Sequence, residues 1–286
     1  MQDGTILAET IDGIERILGT DIDRICVERA VIGLFFTGVK LNTGVAGACA
    51  TPLRSIPEAA CCPSSALAMP FPGKLSGRPA KELLKETAAA SGIRRAVGVA
   101  TMNALAHMCW QRRAHPDADL RIGVDAYDAA DIRPGEQVVV VGAFVPFLKS
   151  LKRAHQPFTV LEMDPATLKP DELPYFRPAD QAADVLPSAD VVLITGTTLV
   201  NDTIEHLLAL CRPDARVVMV GPTVGLLPDA FLHRGVDVLG GLRITAPDAF
   251  LDVLAEGGSG YHFFGRSAEK VVLVRRTAPS ILQAAE

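Results

Sequence analysis

The second half of the chain alternates short runs of aliphatic residues with helical patterns. The runs, of which the last is only a candidate, cover residues 138–141, 158–161, 191–194, 217–220, 236–239 and 271–274. An unalternating apolar run of this length is typical of a strand buried on both faces of a parallel sheet. Helical patterns at 145–154, 202–211 and 246–255 separate several runs. This alternation predicts right-handed crossovers and a Rossmann-like parallel sheet.

The first fifty residues predict a helix followed by an antiparallel meander. Apolar positions recur at helical spacing over residues 5–18, and Gly19 can end that helix. Strand candidates follow at residues 25–31, 33–41 and 45–51. The last of these is small throughout from Gly47 onward, which allows close backbone approach to another element or to a ligand. We favour tight packing.

Two further helices are expected before residue 114. Pro79 can open the first, and the second, at about 94–113, is apolar on nearly all sides and so predicted to be buried. Asn103 and His107 lie four residues apart on one face of it. Buried polar side chains need partners, which either a ligand or, as we favour, the neighbouring domain can supply.

Polar and irregular segments divide the chain. Residues 52–78 are rich in Pro, Ser and Gly, and a long irregular loop of this kind is often functional. Residues 114–136 are polar and loop-like, and we place the domain boundary there. The predicted domains are residues 1–120 and 121–286, and the fold class is α/β, with an α+β first domain and a parallel-sheet second domain.

Hydroxyl and amide side chains are concentrated after the third aliphatic run of the second domain. They are Thr195, Thr197, Thr198, Asn201 and Thr203. Capping of the next helix by Asn201 or Asp202 accounts for one or two of them. In open α/β sheets ligands bind at the carboxyl ends of the strands, so we favour a ligand-binding role for the cluster.

The other strand ends add glycines and one acid to the same predicted rim. Gly142, Glu162 and Gly221 each follow a run. A dinucleotide fingerprint needs several glycines, whereas here Phe144 and Pro146 follow Gly142, so NAD and FAD are disfavoured. Glu162 lies where a ribose-binding acid would be, which leaves an adenosyl or pterin-like ligand open. An ordinary strand-end cap is an equal alternative for Glu162.

Composition limits the classes of partner. The 286 residues carry a net charge of −5, aromatic residues are 5%, and no basic patch stands out, so a nucleic-acid partner is not expected. The longest apolar runs are too short to span a bilayer, and the N-terminus does not resemble a signal peptide. We therefore expect a cytoplasmic protein without a membrane partner, whose six cysteines are reduced thiols.

Metal ligands and catalytic motifs are sparse. The cysteines and histidines show no paired-ligand spacing, which argues against a structural zinc site. Cys49, Cys61 and Cys62 could meet as soft thiolate ligands for a transition metal, although ordinary small loop residues are the favoured interpretation. No Gly-x-Ser-x-Gly elbow and no local Cys and His signature are present.

The segment 190–203, Asp-Val-Val-Leu-Ile-Thr-Gly-Thr-Thr-Leu-Val-Asn-Asp-Thr, resembles the signature of a bacterial and archaeal family described as "putative heavy-metal chelation". Similar segments of that family match residues 141–144, Glu162, 221–223 and 256–258. Residues 1–113 resemble the family's usual partner domain, which is enolase-N-terminal-like, through segments 38–51 and 98–104.

The resemblance implies an enolase-N-terminal-like domain packed on a Rossmann-like domain, with a site in the cleft between them. The implied role is binding or processing of a small metal-chelating or anionic molecule, in a protein expected to form a homodimer. The residues that the resemblance carries over to the site are Asn103, Gly142, Phe144, Glu162, Thr195, Thr197, Asn201, Thr203, Gly221 and Thr223. Gly196 and Thr198 of the same loop complete the predicted ligand-binding set.

Three hypotheses for the function remain open at this point. A binding protein would hold its ligand without turnover. An enzyme, a lyase or transferase in a chelator or cofactor pathway, would use Glu162 as general base and Cys49 or Cys62 as reactive group or metal ligand. A scaffold that only oligomerises is the least favoured of the three.

Overall fold

A computed structural model describes residues 4–53, 69–89, 92–225 and 227–276. Its first part contains helix α1 (Ile6–Leu18) and a three-stranded antiparallel sheet in the order β1 (Val27–Ile32), β2 (Phe36–Leu41) and β3 (Ala46–Ala50). Helices α2 (Ala80–Leu84) and α3 (Gly92–Arg112) follow. The predicted helix, meander and helix pair are thereby confirmed.

The second part contains an eight-stranded sheet and seven helices within the described ranges. The strands are β4 (Ala118–Ile122), β5 (Val138–Val141), β6 (Phe158–Glu162), β7 (Phe176–Pro178), β8 (Val191–Thr195), β9 (Arg216–Val220), β10 (Val236–Ile244) and β11 (Ala268–Arg275). The helices are α4 (Ala126–Ala129), α5 (Val145–Arg153), α6 (Ala182–Val185), α7 (Ile204–Leu210), α8 (Asp229–Leu232), α9 (Pro247–Ala255) and α10 (Gly260–Phe263).

The order of the strands reverses in the middle of the large sheet. Across the sheet the order is β4-β11-β10-β9-β8-β5-β6-β7, and neighbours from β10 to β7 are parallel. From β5 the chain moves outward through β6 and β7, then returns to β8 on the other side of β5. The position between the neighbouring strands β5 and β8 is therefore a topological switch point, where doubly wound α/β folds bind ligands.

Three strands differ from the sequence-based expectation. The sixth aliphatic run, in β11, is antiparallel to β10, because α9 and α10 return the chain to the edge where β10 ends and Ile244 pairs with Ala268. Strand β4 was not predicted because its Asp119 and Arg121 interrupt the apolar pattern. Strand β7 has only three residues, including a proline, which suits an edge strand. The boundary predicted near residue 121 falls inside β4.

The small sheet is covered on both faces. Helix α3 lies on β3 so closely that a Cβ on Gly47 would be 2.3 Å from the carbonyl oxygen of Ala100, which confirms the expected tight packing. On the other face, a Cβ on Gly38 would be 2.6 Å from a methyl group of Leu251 in α9. Helix α9 follows β10 of the large sheet but packs on the small sheet. The two sheets therefore share apolar cores, which fix their relative position.

Helix α3 is buried along most of its length, as its apolar circumference predicts. Its side chains belong to the same apolar cluster as Val139, Val141 and Ile194 of the large sheet. Among the described residues, no helix is both long and apolar enough to cross a membrane.

Candidate functional site

The carboxyl ends of the parallel strands form one rim, as the sequence predicts. Gly142, Glu162, Thr195 and Gly221 lie at the ends of β5, β6, β8 and β9. Two hollows flank the 142–144 turn on this rim. One has a volume of about 160 Å³ and includes Gly142, and the other has a volume of about 550 Å³ and includes Ala143 and Phe144. We call them the switch crevice and the interdomain cavity.

The switch crevice brings together half of the predicted site residues. Those that line it are Gly142, Glu162, Thr195, Thr197, Thr198, Asn201 and Thr203. Its floor is apolar and includes Val141, Leu161 and Leu207, whereas His206 is an additional polar group that the sequence did not indicate. Every lining residue belongs to the span 141–207. The crevice therefore lies within the large-sheet part of the protein and not between the two parts.

Glu162 is held in the crevice by backbone donors. Its Oε2 accepts the N–H of Ala143 at 3.0 Å, and its Oε1 accepts the N–H groups of Met163 at 2.7 Å and Asp164 at 3.3 Å. The carboxylate thus links the turn after β5 to the turn after β6. This geometry matches the strand-end cap considered for Glu162, and its role as a general base stays a prediction.

The Thr-rich loop makes many of its hydrogen bonds within itself. Thr195 Oγ1 lies 3.1 Å from Thr197 Oγ1, and Thr198 Oγ1 donates to the carbonyl oxygen of Thr195 at 2.7 Å. Thr203 Oγ1 donates to Asn201 Oδ1 at 2.7 Å. Part of the loop's hydroxyl content therefore shapes the loop, while Thr197 and Asn201 stay exposed at the mouth of the crevice.

The cap of α7 differs from the prediction. Thr203 is its N-cap residue and makes no side-chain capping bond, whereas Asn201 and Asp202 precede the cap. Asp202 adopts a left-handed backbone with φ of +63°, which costs a non-glycine residue free energy. Arg95 of α3 offsets part of this cost, because its Nη2 donates to Asp202 Oδ1 at 2.5 Å from a nearly buried position. The first part of the chain thereby positions the loop.

The interdomain cavity is lined mainly by aromatic and aliphatic residues from distant parts of the sequence. Phe36 comes from the small sheet, Phe144 from the turn after β5, Tyr261 from α10, and Phe264 directly follows α10. Phe36 also packs edge to face on Phe263, with ring centroids 5.6 Å apart. Of the predicted site residues only Phe144 and Gly221 lie here. The sequence did not indicate the other lining residues as site residues, because a lone aromatic residue in a strand or short helix normally belongs to the core.

A charged pair lies at the edge of this cavity. Lys270 Nζ donates to Asp125 Oδ2 and lies 5.9 Å from the ring centroid of Phe264. Both charged side chains are partly exposed. The cavity therefore combines apolar walls with one polar end, an arrangement that orients an organic ligand.

Asn103, Thr223 and Gly196 meet at the junction of the two parts and line neither hollow. Asn103 Nδ2 donates to the carbonyl oxygens of Ala48 at 2.9 Å and Thr223 at 2.8 Å. Thr223 Oγ1 accepts the N–H of Ala50 at 2.9 Å, and a Cβ on Gly196 would lie 3.0 Å from Thr223 Cβ. The second part of the chain supplies one partner of Asn103, the carbonyl oxygen of Thr223, as we favoured from the sequence, and Ala48 of its own part supplies the other.

The metal-ligand predictions rest on residues that the structure treats differently. Cys49 is fully buried, and desolvation raises the pKa of its thiol far above the ordinary value, which disfavours the thiolate that binds metal. Cys62 lies outside the described residues, as does Cys61. Over the described ranges, no three His, Cys, Asp or Glu side chains are grouped so that they could hold a metal ion. The described side chains thus do not fit a metal site of their own.

Taken together, fold and rim define a mixed α/β protein with two hollows at one edge of a doubly wound sheet. Sequence models of the family described as "putative heavy-metal chelation" match residues 125–273 and, for its accompanying domain, residues 15–106. The chain belongs to this family.

Three proteins similar to this chain are described as uncharacterized or of unknown function. The chain is 28% identical over 179 residues to the uncharacterized protein MJ0500 of Methanocaldococcus jannaschii, a match that covers 61% of this chain and 64% of that protein, less than two thirds of its length. The family whose model matches residues 125–273 is DUF364. Two crystal structures of DUF364-family proteins of unknown function are similar to this chain in fold. The one from Desulfitobacterium hafniense has a TM-score of 0.69 and 20% identity, covering 93% of this chain and 100% of that chain. The one from Pyrococcus horikoshii has a TM-score of 0.73 and 18% identity, with 94% and 99% covered.

Proposed function

We propose that the protein binds a small metal-chelating molecule in the interdomain cavity. The observation that carries this proposal is a cavity of about 550 Å³ to which both parts of the chain contribute, with Phe36 on one side and Phe144 and Gly221 on the other. Ligand sites commonly have volumes of about 300–1,000 Å³ and lie preferentially between domains and at strand ends of α/β sheets.

The lining supports an organic ligand with an apolar body and a polar end. Five aromatic rings, those of Phe36, Phe144, Phe147, Tyr261 and Phe264, offer flat surfaces, and Tyr261 is 81% exposed although it is aromatic. The Asp125–Lys270 pair offers a carboxylate and an ammonium group at one end. An aromatic chelator with a carboxylate group would place its ring among the aromatic residues and its charge near Lys270.

In this proposal the metal is cargo of the bound molecule. The family description refers to heavy-metal chelation, and soft or borderline metals are held by nitrogen and sulfur donors that small chelators provide. The protein's contribution is then to bind the organic part of the complex and to shield it from solvent.

Native mass spectrometry with dipicolinate and its nickel complex as probes tests the proposal. We expect a bound complex in the wild-type protein and at least about tenfold weaker binding in Phe36→Ala, because the variant removes one aromatic wall of the cavity. Phe35→Ala is the matched control, since Phe35 neighbours Phe36 but is not among the lining residues. Equal binding by the two variants, or no probe bound to the wild type, would contradict the proposal.

A further inference from the structure

We propose that the switch crevice is a second ligand site, which binds a nucleoside without a phosphate chain. Three features lie together here: an apolar crevice with polar groups at its edge, a lining carboxylate held by three backbone N–H groups, and a neighbouring turn whose backbone has few free donors for phosphate. The proposal does not depend on what occupies the interdomain cavity, because the two hollows have no lining residue in common.

The position of the crevice is the first argument. It lies at the carboxyl ends of β5, β6 and β8, and the strand order reverses between β5 and β8. The order β7-β6-β5-β8-β9-β10 corresponds to the 3-2-1-4-5-6 order of doubly wound sheets. In such sheets an acid that follows the second strand hydrogen-bonds ribose hydroxyls, and Glu162 occupies that position at the end of β6.

The carboxylate of Glu162 is prepared for this role. A carboxylate has about four lone-pair directions, and three backbone N–H groups use three of them here. These donors hold Glu162 in one orientation, so little further ordering is needed when a ligand binds. The remaining acceptor capacity suits a ribose hydroxyl group.

The rest of the crevice suits a heterocyclic base. Ala179 and Ala182, which follow β7, and Leu207 of α7 offer small apolar surfaces against which a flat ring can pack. Asn201 and His206 at the edge have donors and acceptors for the polar rim of a base. The volume of about 160 Å³ is enough for a base but leaves no room for a phosphate chain.

The turn after β5 excludes a phosphate chain. In dinucleotide-binding proteins the corresponding turn presents free backbone N–H groups to the pyrophosphate. Here the N–H of Gly142 donates to the carbonyl oxygen of Leu161, that of Ala143 donates to Glu162, and that of Phe144 donates to the carbonyl oxygen of Gly142. Pro146 has no N–H. Four of the five residues from 142 to 146 thus have no free backbone N–H group. Phosphate groups on a ligand would therefore meet at most one free donor in this turn.

Isothermal titration calorimetry of the protein with adenosine, uridine, AMP and NAD tests this inference. We expect adenosine or uridine to bind, and AMP and NAD to bind no more tightly than adenosine. Thr197→Trp places a bulky ring at the exposed mouth of the crevice, and we expect it to weaken nucleoside binding at least about tenfold. Thr245→Trp, an exposed threonine that does not line the crevice, should bind as the wild type does.

The outcomes separate the two sites. Phe36→Ala should leave nucleoside binding unchanged, because Phe36 lines only the interdomain cavity. Absence of binding by both nucleosides at millimolar concentration would overturn the inference, and so would tight binding that Thr197→Trp does not weaken. Markedly tighter binding of NAD than of adenosine would overturn the argument from the 142–144 turn. None of these results bears on dipicolinate binding to the interdomain cavity.

Discussion

The Oε2 atom of Glu162 accepts the backbone N–H of Ala143 at 3.0 Å, and this hydrogen bond joins the ends of two neighbouring parallel strands. The turn that it fixes separates the switch crevice from the interdomain cavity. The shape of both hollows therefore depends on one carboxylate that the sequence marks only by its place after a strand.

Replacement of Glu162 by Gln is expected to destabilise the fold. In the variant, the amide oxygen can accept the N–H of either Ala143 or Met163. The NH₂ group must then face the other of these two N–H groups, which loses its acceptor. A lost hydrogen bond with an unsatisfied, partly buried donor costs about 1–3 kcal/mol, to be measured as the free energy of unfolding in urea. Glu256→Gln, at an exposed glutamate, serves as control with an expected change within about 0.5 kcal/mol. Equal effects of the two substitutions would contradict the positioning role of Glu162.

Asn103→Leu should weaken the junction between the two parts of the chain. The substitution keeps a similar volume but removes both Nδ2 hydrogen bonds, to Ala48 and Thr223. With two buried carbonyl groups affected, we expect the unfolding free energy to fall by about 2–4 kcal/mol. Gln111→Leu, exposed near the end of the same helix, is the matched control. A wild-type urea midpoint in the Asn103 variant would refute the interdomain role of this amide.

Glu9 should make the stability depend on pH in the acidic range. Hydrogen bonding to Arg234, assisted by the nearby charges of Arg234 and His233, holds the pKa of Glu9 below its ordinary value of 4.5. A carboxyl group with a lowered folded-state pKa stabilises the fold above its unfolded-state pKa, and this contribution is lost as the pH falls through the folded-state pKa.

We therefore expect Glu9→Gln to be less stable than the wild type at about pH 7, by about 1 kcal/mol or less because the pair is partly exposed. The difference should shrink as the pH is lowered from about 4.5 and be absent once Glu9 is protonated. Urea unfolding at several pH values measures it. Glu15→Gln, on an exposed part of the same helix, is the matched control. A stability difference between wild type and Glu9→Gln that does not change with pH would exclude this linkage.

Cys49 should resist alkylation in the folded protein. Its side chain is fully buried, and desolvation raises the pKa of the thiol, so neither access nor a reactive thiolate is available at neutral pH. Peptide mapping after treatment with iodoacetamide should find Cys49 unmodified in native protein and modified after unfolding in urea. Rapid alkylation of Cys49 in the folded protein would show that the thiol is accessible, and Cys49 would then again be a candidate metal ligand.

Local sequence patterns determined most of the secondary structure. The aliphatic run at 191–194 lies in a strand because four adjacent apolar side chains need burial on both faces, and the periodic segment at 145–154 forms a helix because one face is apolar. Parallel strand order then placed Gly142, Glu162, Thr195 and Gly221 on one rim, so the general location of the candidate site followed from the sequence as well.

Tertiary packing decided the rest. The direction of β11, the partners of Asn103 and the contribution of Phe36 to the interdomain cavity all involve residues that are far apart in the sequence. Whether a backbone N–H is free for a ligand or already bonded, as at Ala143, depends on which side chain reaches it after the strands have paired. Hydrophobic periodicity indicates which side of an element is buried, but it does not indicate which neighbouring element covers that side. Both hollows are formed between such neighbouring elements, so the sequence pattern alone did not define them.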